Sequence, residues 1–141
     1  MSSVLIVDDE PAVREFLGRW LAAAGHQIRE ASDAETGLAL ASETLFDVVL
    51  CDMHMPGRGG RWLVDRLLVE CPTTAIVLAT ADDQVPPSLS FKHGVVDYLV
   101  KPFDRQRVLD AVARAAETRG SAVARRASDE ALNEWLERGS K

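Results

Sequence analysis

The chain has 141 residues, 47% of them hydrophobic, and a formal net charge of −6 at neutral pH. That is enough for one globular domain with a proper core and a short appendage, and the acidic balance argues against a general nucleic-acid binder. No stretch approaches the roughly 18 apolar residues of a membrane span, and Met1-Ser2-Ser3 leads toward a strand with no charged leader, so a cytoplasmic protein is expected.

Val4-Leu5-Ile6-Val7 is an apolar run that stops at Asp8-Asp9-Glu10. Pro11 then opens a helical pattern, a good first position because its missing N–H has no partner there anyway. Val13, Phe16, Leu17, Trp20, Leu21 and Ala24 recur at three- and four-residue spacing and predict one apolar face, ended by Gly25. A short strand follows around Gln27-Ile28-Arg29-Glu30. Ser32 and Glu35 read as a capping box for a second helix with Ala34, Leu38, Ala41 and Leu45 inward. A third helix carries Trp62, Leu63, Leu67 and Leu68 and ends before Cys71-Pro72. Ala75-Ile76-Val77-Leu78-Ala79 reads as a buried strand running out into Thr80-Ala81-Asp82-Asp83.

The segment that follows is unusual. Pro86-Pro87 fits only a first helical turn and Gly94 comes soon after, leaving room for about two turns of a fourth helix. Val95 to Val100 makes a fifth strand, closed by Lys101-Pro102. Asp104 then caps a fifth helix with Val108, Leu109, Val112, Ala115 and Ala116 inward. After Thr118 comes a small, basic run that includes Arg119, Arg125 and Arg126. Ser128 reads as the cap of a last short helix, Asp129 to Arg138, with Leu132, Trp135 and Leu136 on one face. Trp20, Trp62 and Trp135 read as packing or interface residues. Cys51 and Cys71 form no Cys-x-x-Cys pair and cluster with no His, so two buried free thiols are expected.

Strand and helix alternate five times with short links. This is the pattern of an α/β, doubly wound parallel sheet with right-handed crossovers. Its centre is Val48-Val49-Leu50-Cys51-Asp52, a buried strand ending on a carboxylate, which Pro56-Gly57 keeps from continuing. In such a sheet all carboxyl ends of the strands share one edge, where ligands bind. Asp8 and Asp9, Asp52, Thr80 and Lys101 end strands one, three, four and five. Each has a plain explanation by itself: a helix cap, a turn residue, a solvated charge. Their joint placement is harder to get by chance. Carboxylates a few Å apart repel by ~4 kcal/mol per pair at an effective dielectric of 20, so a cation must compensate. Oxygen donors suit Mg²⁺, and Lys101 and Thr80 are the partners a phosphoryl group would need.

These residues resemble the receiver domain of two-component response regulators, with a flavodoxin-like (CheY-like) fold. The likeness runs through Val4-Leu5-Ile6-Val7-Asp8-Asp9-Glu10, Asp47 to Gly57, Leu78-Ala79-Thr80-Ala81 and Gly94 to Phe103, and covers residues 3 to about 118. It implies the strand order 2-1-3-4-5, with residues 119–141 a linker or C-terminal helical extension. It implies that Asp52 accepts a phosphoryl group from a sensor histidine kinase or phosphotransfer protein. Asp8, Asp9, Asp52 and the His54 backbone carbonyl would hold Mg²⁺, or Mn²⁺ in its place. Thr80 and Lys101 would grip the phosphoryl oxygens, and Thr80 and Tyr98 would form the switch. The bond before Pro102 would be cis. The His54 side chain and Asp82 would tune the phosphoryl lifetime at the pocket mouth.

The resemblance also implies an output face made of the fourth helix, fifth strand and fifth helix, acting on a partner, a homodimer or an output domain. The prolines of the short fourth helix suggest an output other than the symmetric dimer through that face. Catalysis would be self-directed only: phosphotransfer and later hydrolysis. Two rival readings are a phosphorylation-independent interaction module and a phosphatase of the haloacid dehalogenase type. The intact acidic set and Lys101 speak against the first. The second requires an Asp-x-Asp pair ending strand one and a cap domain. A flavodoxin would need a Ser/Thr-rich phosphate loop after strand one.

Overall fold

The computed structural model describes residues 2–81 and 95–118. The elements run β1 (Ser3–Val7), α1 (Pro11–Ala23), β2 (Gln27–Ala31), α2 (Ala34–Glu43), β3 (Val48–Asp52), α3 (Gly59–Glu70), β4 (Ala75–Thr80) and β5 (Val95–Val100). A last described helix, α4, spans 105–118 and is the fifth helix of the sequence pattern. The expected helix between β4 and β5 and the one at Asp129 to Arg138 lie outside the described residues. The strands form one sheet in the order β2-β1-β3-β4-β5, and every pairing is parallel.

Period-two alternation along the central strands divides the core between the two faces of the sheet. Leu5, Val7, Val49, Cys51, Ile76 and Leu78 point to one face, where α2 and α3 cover them with Ala34, Ala41, Leu63, Val64 and Leu67. Val4, Ile6, Val48, Leu50, Val77 and Ala79 point to the other, under Val13, Leu17 and Leu21 of α1 and Val108, Ala111, Val112 and Ala115 of α4. Strands β1, β3 and β4 are therefore apolar on both sides, whereas β5 at the sheet edge buries Leu99 alone. The register of β4 against β5 shifts between Ile76 and Val77, skipping Val96. Both cysteines are buried free thiols.

Three local expectations are corrected. The cap of α2 is Asp33, not Ser32: its carboxylate accepts the Thr36 N–H at 2.7 Å, and α2 starts at Ala34. An ionised carboxylate is the stronger acceptor at a helix start. Leu45 lies beyond the end of α2 at Glu43 and is 59% exposed. Ala24 is the exposed C-cap of α1, and the inward face there ends at Leu21.

Two glycines shape the turn after β3. Gly57 and Gly59 adopt φ of 81° and 73°, which L side chains rarely hold. Gly60 sits so close under the strand end that a Cβ there would collide with the Asp52 carbonyl oxygen and lie 2.6 Å from Met53 Cα.

Candidate acidic phosphoryl and metal site

The parallel sheet brings the ends of β1, β3, β4 and β5 to one edge. β1 stops at Val7 and its chain continues into Asp8, whose N–H donates to the Ala31 carbonyl at 3.1 Å. Asp8 is buried, and its Oδ1 accepts the Glu10 N–H at 2.9 Å. That local turn sets the start of α1. Arg14, one turn into the helix, donates from Nη1 to the Asp8 carbonyl at 2.6 Å and faces Glu30 at 3.6 Å. Asp8, Asp9 and Glu10 each offer a carboxylate oxygen, and these lie within 4.8 Å of one another.

Asp52 closes β3 and is 3% exposed. Its Oδ1 accepts the backbone N–H of His54 at 3.2 Å, while the His54 side chain is exposed. Lys101 reaches in from the end of β5. Its Nζ stands 3.1 Å from Asp8 Oδ2, 3.5 Å from Asp52 Oδ2 and 3.7 Å from Glu10 Oε1. The Lys101 N–H donates to the Thr80 carbonyl at 2.7 Å, which ties the ends of β4 and β5 together. Thr80 itself is buried.

The electrostatics follow from this packing. Burial is the largest influence on Asp52 and raises its carboxyl to about 6; the His54 N–H and the Lys101 ammonium pull it down, and the Asp8 charge pushes it further up. Burial works against the Lys101 ammonium, but the hydrogen bond to Asp8 and the charges of Asp52, Asp8 and Glu10 outweigh it, so its pKa is raised. Burial also pushes the Cys51 thiol up, helped by the Asp52 and Asp8 charges, which keeps it an inert neighbour.

The donor set fits a hard divalent cation. Among the described residues, the Lys101 ammonium faces Asp8, Glu10 and Asp52, and Asp9 adds a further carboxylate beside Asp8 and Glu10, so negative charge is in excess in a pocket where Asp8 and Asp52 are nearly dry. The donors at that edge are oxygens, the choice of Mg²⁺ over softer metals.

Of the residues singled out from sequence, the structure thus brings Asp8, Asp9, Asp52, Thr80 and Lys101 to one edge. The Lys101–Pro102 peptide bond is cis, the geometry the resemblance implies. Tyr98 lies on β5 with 41% of its surface exposed. Asp82 lies outside the described residues. Two contributors were not singled out: Glu10, the third member of the acidic cluster, and Arg14. The only sequence signal for them was their place in Asp8-Asp9-Glu10 and one helical turn beyond it.

The response regulator receiver domain family matches the chain over residues 4–113. The chain belongs to that family. This receiver domain is 35% identical over 116 residues to the response regulator protein FleR of Pseudomonas aeruginosa, covering 82% of this chain but 24% of FleR. It is also 35% identical over 115 residues to the protein PilH of the same organism, covering 79% of this chain and 95% of PilH. A crystal structure of a response regulator receiver domain protein from Clostridium thermocellum superposes with a TM-score of 0.78 at 27% identity, over 85% of this chain and 98% of that one. The chain thus spans most of a short relative and about a quarter of a long one. Receiver domains are the signalling regulators of two-component systems. They work with histidine kinases or phosphotransfer proteins, and they typically bind Mg²⁺ in an acidic pocket such as the one formed here.

Proposed function

We propose that this receiver domain, residues 3–118, is a phosphorylation-dependent switch in which Asp52 accepts a phosphoryl group from a phosphohistidine on a histidine kinase or phosphotransfer protein. The observation that carries this reading is the Lys101 ammonium held between buried Asp8 and Asp52 at the carboxyl edge of the sheet. An Asp52 carboxylate oxygen attacks phosphorus; the N–P bond of the donor breaks, an O–P bond forms, and the imidazole leaves with the electron pair. Lys101, already in the pocket, offers its ammonium to the phosphoryl oxygens, and the Thr80 hydroxyl offers a second donor. The Asp52 Oδ1 is oriented by the His54 N–H, which leaves Oδ2 on the Lys101 side.

Asp8, Asp9, Asp52 and the His54 backbone carbonyl would hold the Mg²⁺. When bound, the ion neutralises the charge gathered on the acceptor and the incoming phosphoryl group. The exposed His54 side chain and Asp82 set the access of water, and hence how long the phosphoryl group survives.

The switch is read through Thr80 and Tyr98. Their movement alters the surface formed by the segment between β4 and β5, by β5 itself and by α4. That surface acts on an effector protein, a second copy or an output domain, with residues 119–141 as linker or extension, and the domain works in the cytoplasm. The test is incubation with a small phosphodonor and Mg²⁺, followed by intact mass and light scattering. Wild type should gain the mass of one phosphoryl group and Asp52→Ala should not. No gain in the wild type, or an equal gain in the variant, overturns the reading. A change in size confined to the phosphorylated form identifies dimerisation as the output.

A further inference from the structure

A groove of about 580 Å³ opens between α1 and the turn after β5, next to the acidic pocket but outside the core. Val13, Phe16, Trp20 and Phe103 line it, and Glu10 and Lys101 form the end nearest the pocket. The Phe16 ring centroid lies 4.7 Å from that of Trp20 and 6.2 Å from that of Phe103, so the three rings make one continuous aromatic surface. All three are only half-buried. The volume falls in the range of roughly 300–1,000 Å³ typical of ligand pockets. A groove between a helix and a loop suits an amphipathic helix that anchors through residues spaced i, i+3, i+4.

We propose that the occupant is this chain's own C-terminal run, residues 128–138, docked in cis. Leu132, Trp135 and Leu136 have the i, i+3, i+4 spacing, and a run of this length needs a surface to hold it as a helix. The length of chain allows it. α4 starts just after Phe103, at the groove, and its 105–118 span carries the chain about 21 Å away at 1.5 Å per residue. Residues 119–131 reach about 40 Å when extended, which is ample for the return. Charge complementarity lies in the connecting stretch, where Arg119, Arg125 and Arg126 can approach Asp9 and Glu10 at the pocket end; the run itself carries Asp129, Glu130, Glu134 and Glu137 against Arg138, so its anchoring falls to Leu132, Trp135 and Leu136.

A partner helix using the same groove would have to displace this segment. The inference stands apart from the phosphoacceptor reading, since it concerns occupancy of the groove and not chemistry at Asp52.

The test uses the full chain carrying a nitroxide on Gly139→Cys, with Cys51 and Cys71 shielded by burial. Paramagnetic broadening is then read on ¹⁵N-labelled amides. Loss of the Val13 to Trp20 and Phe103 signals is expected, with Ala41 and Leu67 on the opposite face of the sheet far less affected. The same loss should vanish when Leu132→Ser and Trp135→Ser are added. Spin-labelled unenriched chain mixed with ¹⁵N chain lacking the label separates cis from trans. Broadening in that mixture equal to that in the single-chain sample assigns the groove to a second copy and overturns the proposal. Absence of broadening at the groove overturns it as well, and leaves the aromatic surface to a different protein.

Discussion

Arg107 grips Asp97 with both arms of its guanidinium: Nη1 lies 2.8 Å from Oδ2 and Nη2 lies 3.0 Å from Oδ1. The same Nη2 donates to the Tyr98 carbonyl at 3.2 Å, and Arg114 adds a contact to Asp97 Oδ2 at 3.1 Å. One carboxylate on edge strand β5 thus fastens two turns of α4 beside the exposed Tyr98. The hydrogen bond from Arg107 is the largest influence on Asp97; it exceeds the opposing effect of burial and holds the carboxyl below its ordinary 3.8.

Asp97→Asn is expected to lower stability by about 1 kcal/mol or less, because solvent around the arginines screens even a forked pair. A depressed carboxylate contributes fully above its unfolded pKa and loses that contribution as pH falls through the lower folded value. Melting curves of wild type and variant should therefore differ at pH 7 and converge below pH 3.8. A gap that widens on acidification would contradict the pairing.

The opposite sign applies to Asp52. Its carboxyl, raised to about 6 from 3.8, favours the fold while protonated, and that stabilisation is lost as pH rises through 6. In EDTA at pH 7.5, Asp52→Asn is expected to melt higher than wild type. At pH 5 the difference should shrink as wild-type Asp52 takes up its proton. Added Mg²⁺ should raise the wild-type melting temperature more than that of the variant. Thermal scans at both pH values, with and without Mg²⁺, check all three statements.

Lys101→Met removes the ammonium that faces Asp8 and Asp52 and leaves two buried carboxylates uncompensated. Breaking a buried pair in this way typically costs about 3–5 kcal/mol. The metal-free variant should melt well below wild type and recover more on adding Mg²⁺ than wild type does. Phosphorylation by a small donor should slow by at least tenfold, about 1.4 kcal/mol of barrier, measured by intact mass against time. Wild-type rates in this variant would contradict a role for Lys101 in the transfer.

Gly60→Ala places a methyl group against the Asp52 carbonyl and Met53 Cα, both of them backbone, so the first turn of α3 must move away. Overpacking of this kind costs about 1–3 kcal/mol. The expected result is a lower melting temperature together with slower phosphorylation of Asp52. Gly25→Ala serves as the comparison: a Cβ there meets nothing within 4 Å, and only its φ of 96° is strained. That variant should lose stability and leave the phosphorylation rate unchanged.

The sheet and its edge were legible in the sequence because they depend on short-range patterns. Apolar runs such as Val4 to Val7 and Val48 to Cys51 are too short for helices and too apolar for exposed strands, and the helices between them repeat at three- and four-residue spacing. Parallel pairing then sends every strand end to one side, so the meeting of Asp8, Asp9, Asp52, Thr80 and Lys101 follows from order alone. Element ends were less legible. Ser32 and Asp33 are both competent caps, and only the backbone path through Asp33, with its carboxylate on the Thr36 N–H, chose between them. Leu45 is apolar by type, yet α2 ends before it and leaves it mostly exposed.

By itself, then, the sequence determined the topology and the set of chemical groups at the carboxyl edge, since both are properties of order and local periodicity. Tertiary structure alone decided the distances. Lys101 could pair with Asp8 and Asp52 only once β1, β3 and β5 stood side by side, residues 49 and 93 apart in the chain. The aromatic groove of Phe16, Trp20 and Phe103 exists because α1 and the turn after β5 pack on the same face of the sheet. Contacts between residues so distant in sequence depend on how two elements cross, and no local pattern encodes that.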